Sequence, residues 1–274
     1  MLATKTLSFR DVDGLGFAAS ATDLDTELVP MSYSPKTLGP LLEFLHLDAG
    51  QRLPKHPEGK NWLARNGAAA LISALQRGDE RWVSPQDQRM GFIRAQRASA
   101  NSDNSLVSFL MNAATAARNI SRLPGTVPRQ LAAAMQELEN NIHEHSEAPE
   151  TGVIAFRATR GVFEFVASDR GVGILDSLKR YPDYAGLPDA GKALEVALTD
   201  GTSRFGTNSR RGHGFRPIFI GLVNLRGELR FRSGDHALIM DGTTPTLSMA
   251  QLQQKPFIDG FFASVCCNLD PVKN

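Results

Sequence analysis

The segment from Gln130 to Ser146, QLAAAMQELENNIHEHS, most constrains the fold, because its periodicity suits a helix with two different faces. An apolar stripe recurs at the spacing that one helix face requires, at Leu131, Met135, Leu138 and Ile142. Polar residues recur every four positions, at Glu137, Asn141 and His145. Each such step turns by only about 40°, so these residues form a neighbouring strip. We therefore predict a helix that packs on one side and presents a carboxylate, an amide and an imidazole on another.

The polar strip has the chemistry of a site for a hydrated divalent cation. Asn141 offers a neutral carbonyl oxygen, and Glu137, one turn earlier, carries a carboxylate that can orient or deprotonate water. We predict Asn141 as a metal ligand and Glu137 as a catalytic residue. The alternative is a polar strip that simply faces solvent.

Two later segments carry further signals. Residues 162–174 read VFEFVASDRGVGI, a strand-like run that ends in Asp169, Gly171 and Gly173. With residues 153–159 this run predicts a hairpin around Arg160 and Gly161. Residues 210–215 read RRGHGF. Taken alone, the first glycine pair also suits a simple turn after a strand.

In this order and spacing, the three stretches resemble the N-box and the two glycine boxes of the GHKL superfamily. Its members include type II topoisomerases, heat-shock chaperones, mismatch-repair ATPases, histidine kinases and anti-sigma-factor kinases. The resemblance covers residues 123–269. It implies an α+β fold, a two-layer α/β sandwich in which helices cover a mixed, mostly antiparallel sheet. It also implies ATP and Mg²⁺ as cofactors.

The resemblance assigns roles to individual residues. Asp169 corresponds to the aspartate that accepts a hydrogen bond from the adenine amino group, with Gly171 and Gly173 beside the ring. His145 matches a histidine of the small anti-sigma-factor kinases, and it either approaches phosphate or caps the helix end as a cation. One departure is Phe261, which follows Gly260 where the superfamily often has threonine.

The segment between the glycine boxes resembles the superfamily's ATP lid. Its candidate phosphate-binding cations are Lys192, Arg204, Arg210 and Arg211, each with solvent exposure as the alternative. Gly212 and Gly214 precede a predicted apolar helix over residues 217–225, and N–H groups at such a helix start attract anions. His213 lies between these glycines and either touches phosphate or faces outward.

We predict a domain junction at residues 123–128, where two prolines and a glycine interrupt helical periodicity. Residues 1–122 are predicted as a mainly α-helical regulatory or interaction region, with helices starting near residue 34, over 61–76, over 85–99 and over 105–122. Residues 123–274 form the predicted ATP-binding domain. Its later part is predicted as a hairpin of residues 228–232 and 237–240, followed by a last strand over 261–269.

The amino-acid composition limits the classes of function that the chain can have. With 30 basic and 29 acidic residues the formal charge is +1, which gives no indication of nucleic-acid or membrane-surface binding. The cysteines are the neighbours Cys266 and Cys267, which excludes a disulfide framework or a zinc site of cysteines. We find no secretory signal pattern and no apolar run of about 20 residues, so we predict a cytoplasmic protein.

Three functions follow from the resemblance. The first is a Mg²⁺-dependent ATP-binding protein that hydrolyses ATP slowly, with the nucleotide state controlling the lid and a partner surface. The second is an anti-sigma-type serine/threonine kinase, favoured by the E-x-x-x-N-x-x-x-H spacing from Glu137 to His145. The third is a non-catalytic module switched by ATP or ADP. A protein partner is expected to bind the helical N-terminal half, and a homodimer is compatible with each function.

Overall fold

The computed structural model describes residues 4–20, 32–34, 36–49, 68–95, 102–199, 227–240 and 250–269. This part of the chain is α+β, as predicted. Its α-helices are α1 (Phe9–Ser20), α2 (Leu38–Ala49), α3 (Ala69–Arg77), α4 (Ser102–Asn119), α5 (Val127–His145), α6 (Gly173–Lys179) and α7 (Ala190–Thr199). Its strands are β1 (Thr4–Thr6), β2 (Ser32–Ser34), β3 (Arg81–Val83), β4 (Met90–Arg94), β5 (Val153–Thr159), β6 (Val162–Asp169), β7 (Glu228–Met240) and β8 (Gln251–Asn268).

A six-stranded antiparallel sheet organises the fold, with the strand order β3-β4-β5-β6-β8-β7. The predicted hairpin of β5 and β6 is confirmed, with Thr159 opposite Val162 across Arg160 and Gly161. β8 lies between β6 and β7 and places Phe261 opposite Asp169. The short strands β1 and β2 form a separate parallel pair.

One face of the sheet is covered by α4 and α5. Alternate strand residues such as Ile154, Phe165 and Val265 point to this face, as the period of two in a strand requires. They pack with Phe109 of α4 and Met135 of α5 in one apolar cluster. Burial of these side chains fixes α5 against the sheet, so its polar strip is held at the edge of this core.

The N-terminal helices cover the opposite face. Leu41 and Leu47 of α2 and Leu71 of α3 pack against Val166 and Phe262, which point to the other side of the strands. A buried ionic cluster lies beside this apolar contact and links α1 and α2 to β7 and β8. It consists of Asp13, Glu43, Arg230, Arg232 and Lys255.

The helix predicted over residues 85–99 is wrong, because β4 occupies residues 90–94. β4 buries Phe92 on one face of the sheet and Ile93 on the other. Periodicity cannot distinguish a short apolar run buried on both faces from a helix segment. Ser84 instead begins a turn, in which its carbonyl accepts from Gln88 N at 2.9 Å. The helix predicted over 105–122 is confirmed in α4.

The hairpin predicted within residues 228–240 is also wrong, since β7 runs through this segment as one strand. Gly234 and Asp235, between the two predicted strands, lie at shifts in the register between β7 and β8. A bulge absorbs these shifts without reversing the chain. The helix predicted over 61–76 is confirmed in its described part, which is α3 (Ala69–Arg77). Residues 61–67 of that prediction, and the helix predicted over 217–225, lie outside the described residues. Among the helices that are described, none has the length and apolarity needed to cross a membrane.

Candidate functional site

Helix α5 carries the predicted polar strip. Its apolar stripe is buried as predicted, since Leu131, Met135, Leu138 and Ile142 are each at most 5% exposed. Glu137, Asn141 and His145 are all partly buried beside that stripe. His145 Nε2 lies 4.0 Å from a carboxylate oxygen of Glu144. The strip is thus neither fully exposed nor part of the apolar core.

Asn141 has a polar atom whose bonding capacity is unused. Its Nδ2 is buried and has no hydrogen-bond partner in the described part of the chain. An amide nitrogen removed from water without an acceptor costs about 1–3 kcal/mol. An ordered water molecule or a bound ligand could complete the hydrogen bonding of this group.

A metal bound at Asn141 would have to take most of its ligands from outside the described part of the protein. No cluster of three or more histidine, cysteine or acidic residues suited to a metal occurs in the described ranges. Mg²⁺ usually keeps several waters and binds one or two protein oxygens together with substrate phosphates. The single amide oxygen of Asn141 would therefore need further oxygen ligands, from water or from a bound phosphate, to hold Mg²⁺.

Asp169 ends β6 and is 2% exposed. Its Oδ1 accepts from Gly171 N at 2.7 Å. Burial raises the pKa of this carboxyl to about 7, although the Gly171 hydrogen bond acts in the opposite direction. Near neutral pH, a hydrogen-bond donor presented to Asp169 would favour the ionised form. The side chain can therefore respond to a ligand that carries an N–H group.

The first glycine turn docks on the end of α5. Val172 N donates to the carbonyl of Ser146 at 3.0 Å, and a Cβ at residue 171 would overlap that same carbonyl oxygen. Glycine at 171 is thus required by a backbone contact, independently of any bound ring. The contact joins the turn after Asp169 to the helix that carries Asn141.

Two residues at this turn, Ser233 and Gly260, were not predicted as site residues from the sequence. Ser233 Oγ accepts from Ile174 N at 2.9 Å and donates to Gly260 O at 2.8 Å. Gly260 has a φ of 67°, and a Cβ there would overlap the backbone and carboxyl oxygens of Asp169. The pairing of β8 with both β6 and β7 brings these residues together. The nearest signal in the sequence was the Gly260–Phe261 pair.

A second acid and histidine pair on α5 lies away from the predicted strip. Glu139 Oε1 and His143 Nε2 are 2.8 Å apart. Residue 139 is two positions from residue 137, a turn of about 200° around the helix, so the pair flanks the other side of the apolar stripe. It belongs to the packing of α5 and not to the strip of Asn141.

The lid candidates are described only in part. Lys192 lies on α7, where its ammonium pairs with Glu195 at 2.8 Å on the exposed side of the helix. The other cations of the predicted lid, Arg204, Arg210 and Arg211, lie outside the described residues. So do Gly212, His213 and Gly214 of the second glycine box.

No protein family model and no curated protein matches this chain.

Proposed function

We propose that this protein binds ATP with Mg²⁺ beside Asp169 and the polar strip of α5, and that it hydrolyses the nucleotide slowly. The observation that carries the proposal is the docking of the glycine turn on Ser146. It links a buried carboxyl at a strand end with a helix whose buried amide lacks a partner. The GHKL-like order of the motifs in the sequence supports the same assignment.

Asp169 is the residue proposed to recognise the nucleotide base. Its carboxyl is shielded from water and is an acceptor when ionised, which suits the amino group of adenine. A base with a carbonyl in that position, such as guanine, would bring two acceptors together. We therefore expect preference for adenine over guanine nucleotides.

The polar strip is the proposed phosphate side of the site. Asn141 would hold Mg²⁺ through its amide oxygen, and the bound ion would neutralise phosphate charge. Glu137, one helical turn earlier, would orient a water molecule and accept its proton. The cations of the predicted lid would add positive charge around the phosphates.

The test is a titration of the purified full-length chain with ATP, ADP and GTP, with and without Mg²⁺, while thermal unfolding is followed. A ligand at 100 times its Kd stabilises the native state by about 2.7 kcal/mol. We expect the melting temperature to rise with Mg²⁺ and ATP, and to rise less with GTP. Unchanged melting at millimolar ATP would refute the proposal.

Turnover separates the three functions. Replacing Glu137→Ala should keep the ATP-dependent rise in melting temperature and abolish release of inorganic phosphate. Labelled γ-phosphate on a co-purified protein would favour the serine/threonine kinase. Binding without either product would favour the ATP-switched module.

We also propose a cytoplasmic location and a protein partner for this chain. Cys266 and Cys267 are free thiols, which suits the proposed reducing cytoplasm. A protein partner for the N-terminal half, and a homodimer, stay predictions. Fractionation and sedimentation with ATP or ADP would test them.

A further inference from the structure

We propose that Ser233 is a positioning residue for Asp169. Its hydroxyl holds the carboxyl of Asp169 in the position that binds adenine. The inference rests on the proposed function, since it assigns a role within the same site. It concerns a serine on β7, a strand that carries none of the sequence motifs.

The hydroxyl of Ser233 joins two chain segments. Its hydrogen is donated to Gly260 O, and its oxygen accepts from Ile174 N in the first turn of α6. Ser233 is 2% exposed, so water does not replace these bonds readily. With its hydrogen committed to Gly260, the hydroxyl acts on the site through the backbone and not by donating to a base.

Both segments held by Ser233 border Asp169. On one side, the register pairs Ser233 with Phe261 and Gly234 with Ile258, which leaves Asp259 and Gly260 as a bulge in β8. The backbone of this bulge packs so closely on Asp169 that a Cβ at Gly260 would overlap it. Any shift of Gly260 must therefore change the space around the carboxyl.

On the other side is the glycine turn itself. A Cβ at Gly173 would lie 2.9 Å from Ser233 Oγ, so the start of α6 sits directly on the serine. The same turn supplies Gly171 N, which donates to Asp169. One hydroxyl thus fixes the bulge and the start of α6 relative to each other, with Asp169 between them.

The bulge is also held from the opposite face of the sheet. His46 of α2 makes a hydrogen bond of 2.9 Å from Nε2 to Asp259 O. Because the acceptor is a carbonyl, this nitrogen carries the proton. Consecutive carbonyls at 259 and 260 are therefore fixed by two side chains. Phe261, at the position where the superfamily often has threonine, packs against Phe231 with ring centroids 6.2 Å apart.

The experiment compares Ser233→Ala with wild type and with Ser264→Ala, a matched loss of a buried hydroxyl in the same sheet. Calorimetry measures the Kd for adenosine and for ATP with Mg²⁺. Carbon-13 NMR follows the titration of Asp169 in the nucleotide-free protein. Ser233→Thr, which restores the hydroxyl, is the rescue variant.

We expect Ser233→Ala to weaken adenosine and ATP by a similar factor, about tenfold or more, since the buried hydrogen bonds fix the base side of the site. Looser packing should admit water and lower the titration midpoint of Asp169 by about one pH unit or more. Ser264→Ala should match wild type. Ser233→Thr should bind within about threefold of wild type.

The outcomes separate the two proposals. Wild-type protein that binds neither adenosine nor ATP refutes the proposed function and this inference with it. ATP binding that Ser233→Ala leaves intact, with an unmoved Asp169 midpoint, overturns the inference alone. If Ser233→Ala does not fold, a folded Ser233→Thr decides, because loss of about tenfold or more in that variant contradicts a role for the hydroxyl.

Discussion

Asn141 is a residue whose side chain costs the native state stability. Its Nδ2 is buried without a partner, while its neighbour Asn140 is exposed. A buried donor without an acceptor lowers the free energy of unfolding, so packing alone gives no reason for an amide at this position. A phosphate oxygen of the proposed nucleotide would supply an acceptor for this donor.

We predict that Asn141→Leu raises the free energy of unfolding of the nucleotide-free protein by about 1 kcal/mol, because an apolar side chain of similar size removes the unsatisfied group. The same variant should lose the stabilisation by ATP and Mg²⁺. Urea denaturation with and without nucleotide measures both effects. Asn140→Leu is the control and should change neither. Lower stability of Asn141→Leu would show that the amide has a structural partner.

Asp169 and His46 make opposite contributions to stability at acidic pH. Burial raises the pKa of Asp169 from 3.8 to about 7, so between these values the native state holds a proton that the unfolded chain has released. Its stabilising effect is complete below 3.8 and is lost as pH rises towards 7. Burial lowers the pKa of His46 from 6.5 to about 4, so His46 makes stability rise with pH over that window.

We predict that Asp169→Asn removes the contribution to the free energy of unfolding that falls as pH rises. The contribution of His46, which rises with pH, is then no longer offset. The unfolding free energy of the variant should therefore increase from pH 4 to pH 6.5 more steeply than that of wild type, by up to about 1.4 kcal/mol per pH unit. Urea denaturation across this range gives the two curves. Parallel curves would mean that Asp169 titrates as in the unfolded chain.

At the scale of elements, buried charge ties α2 to β7. Glu43 is fully buried and binds Arg230 at 2.7 Å, and it also pairs with Arg232. Asp13 of α1 and Lys255 of β8, 2.9 Å apart, complete the cluster. Removing one of its two carboxylates leaves cations buried without enough partners, which is more costly than losing a surface pair. The N-terminal helices are thus attached by charge as well as by apolar packing.

We predict that Glu43→Leu lowers the free energy of unfolding by about 3–5 kcal/mol, because it leaves two buried arginines, Arg230 and Arg232, with Asp13 as their remaining anionic partner. Glu147→Leu is the matched control, since Glu147 pairs with Arg180 at an exposed position. Its unfolding midpoint should stay close to that of wild type. Guanidinium is unsuitable here because it screens charge, so urea is the denaturant. Equal effects of the two substitutions would contradict a stabilising role for the cluster.

At the scale of the whole molecule, the core crosses the division predicted near residue 122. β3 and β4 belong to the same sheet as β5 to β8, and α4 packs with α5 on one face. Leu123, at the predicted junction, is buried in that cluster. The segment between α4 and α5 therefore works as a turn between packed helices.

We predict that a fragment of residues 123–274 does not fold cooperatively, because it loses α4, β4 and the described helices α1, α2 and α3 on the second face of the sheet. The full chain should melt in one transition. Circular dichroism during heating and binding of a hydrophobic dye compare the two proteins. A fragment that melts sharply and binds ATP would show that the later half is an independent domain.

The amino-acid sequence by itself determined the features that depend on local periodicity. These are the two faces of α5, the hairpin of β5 and β6, and the position of Asp169 at a strand end, because neighbouring residues decide them. Only the tertiary structure decided that residues 90–94 form a strand and that Ser233 and Gly260 enclose Asp169. It also decided the pairing of Glu43 with Arg230, which lie 187 residues apart. Such contacts depend on which strands and helices become neighbours, and no local pattern encodes that choice.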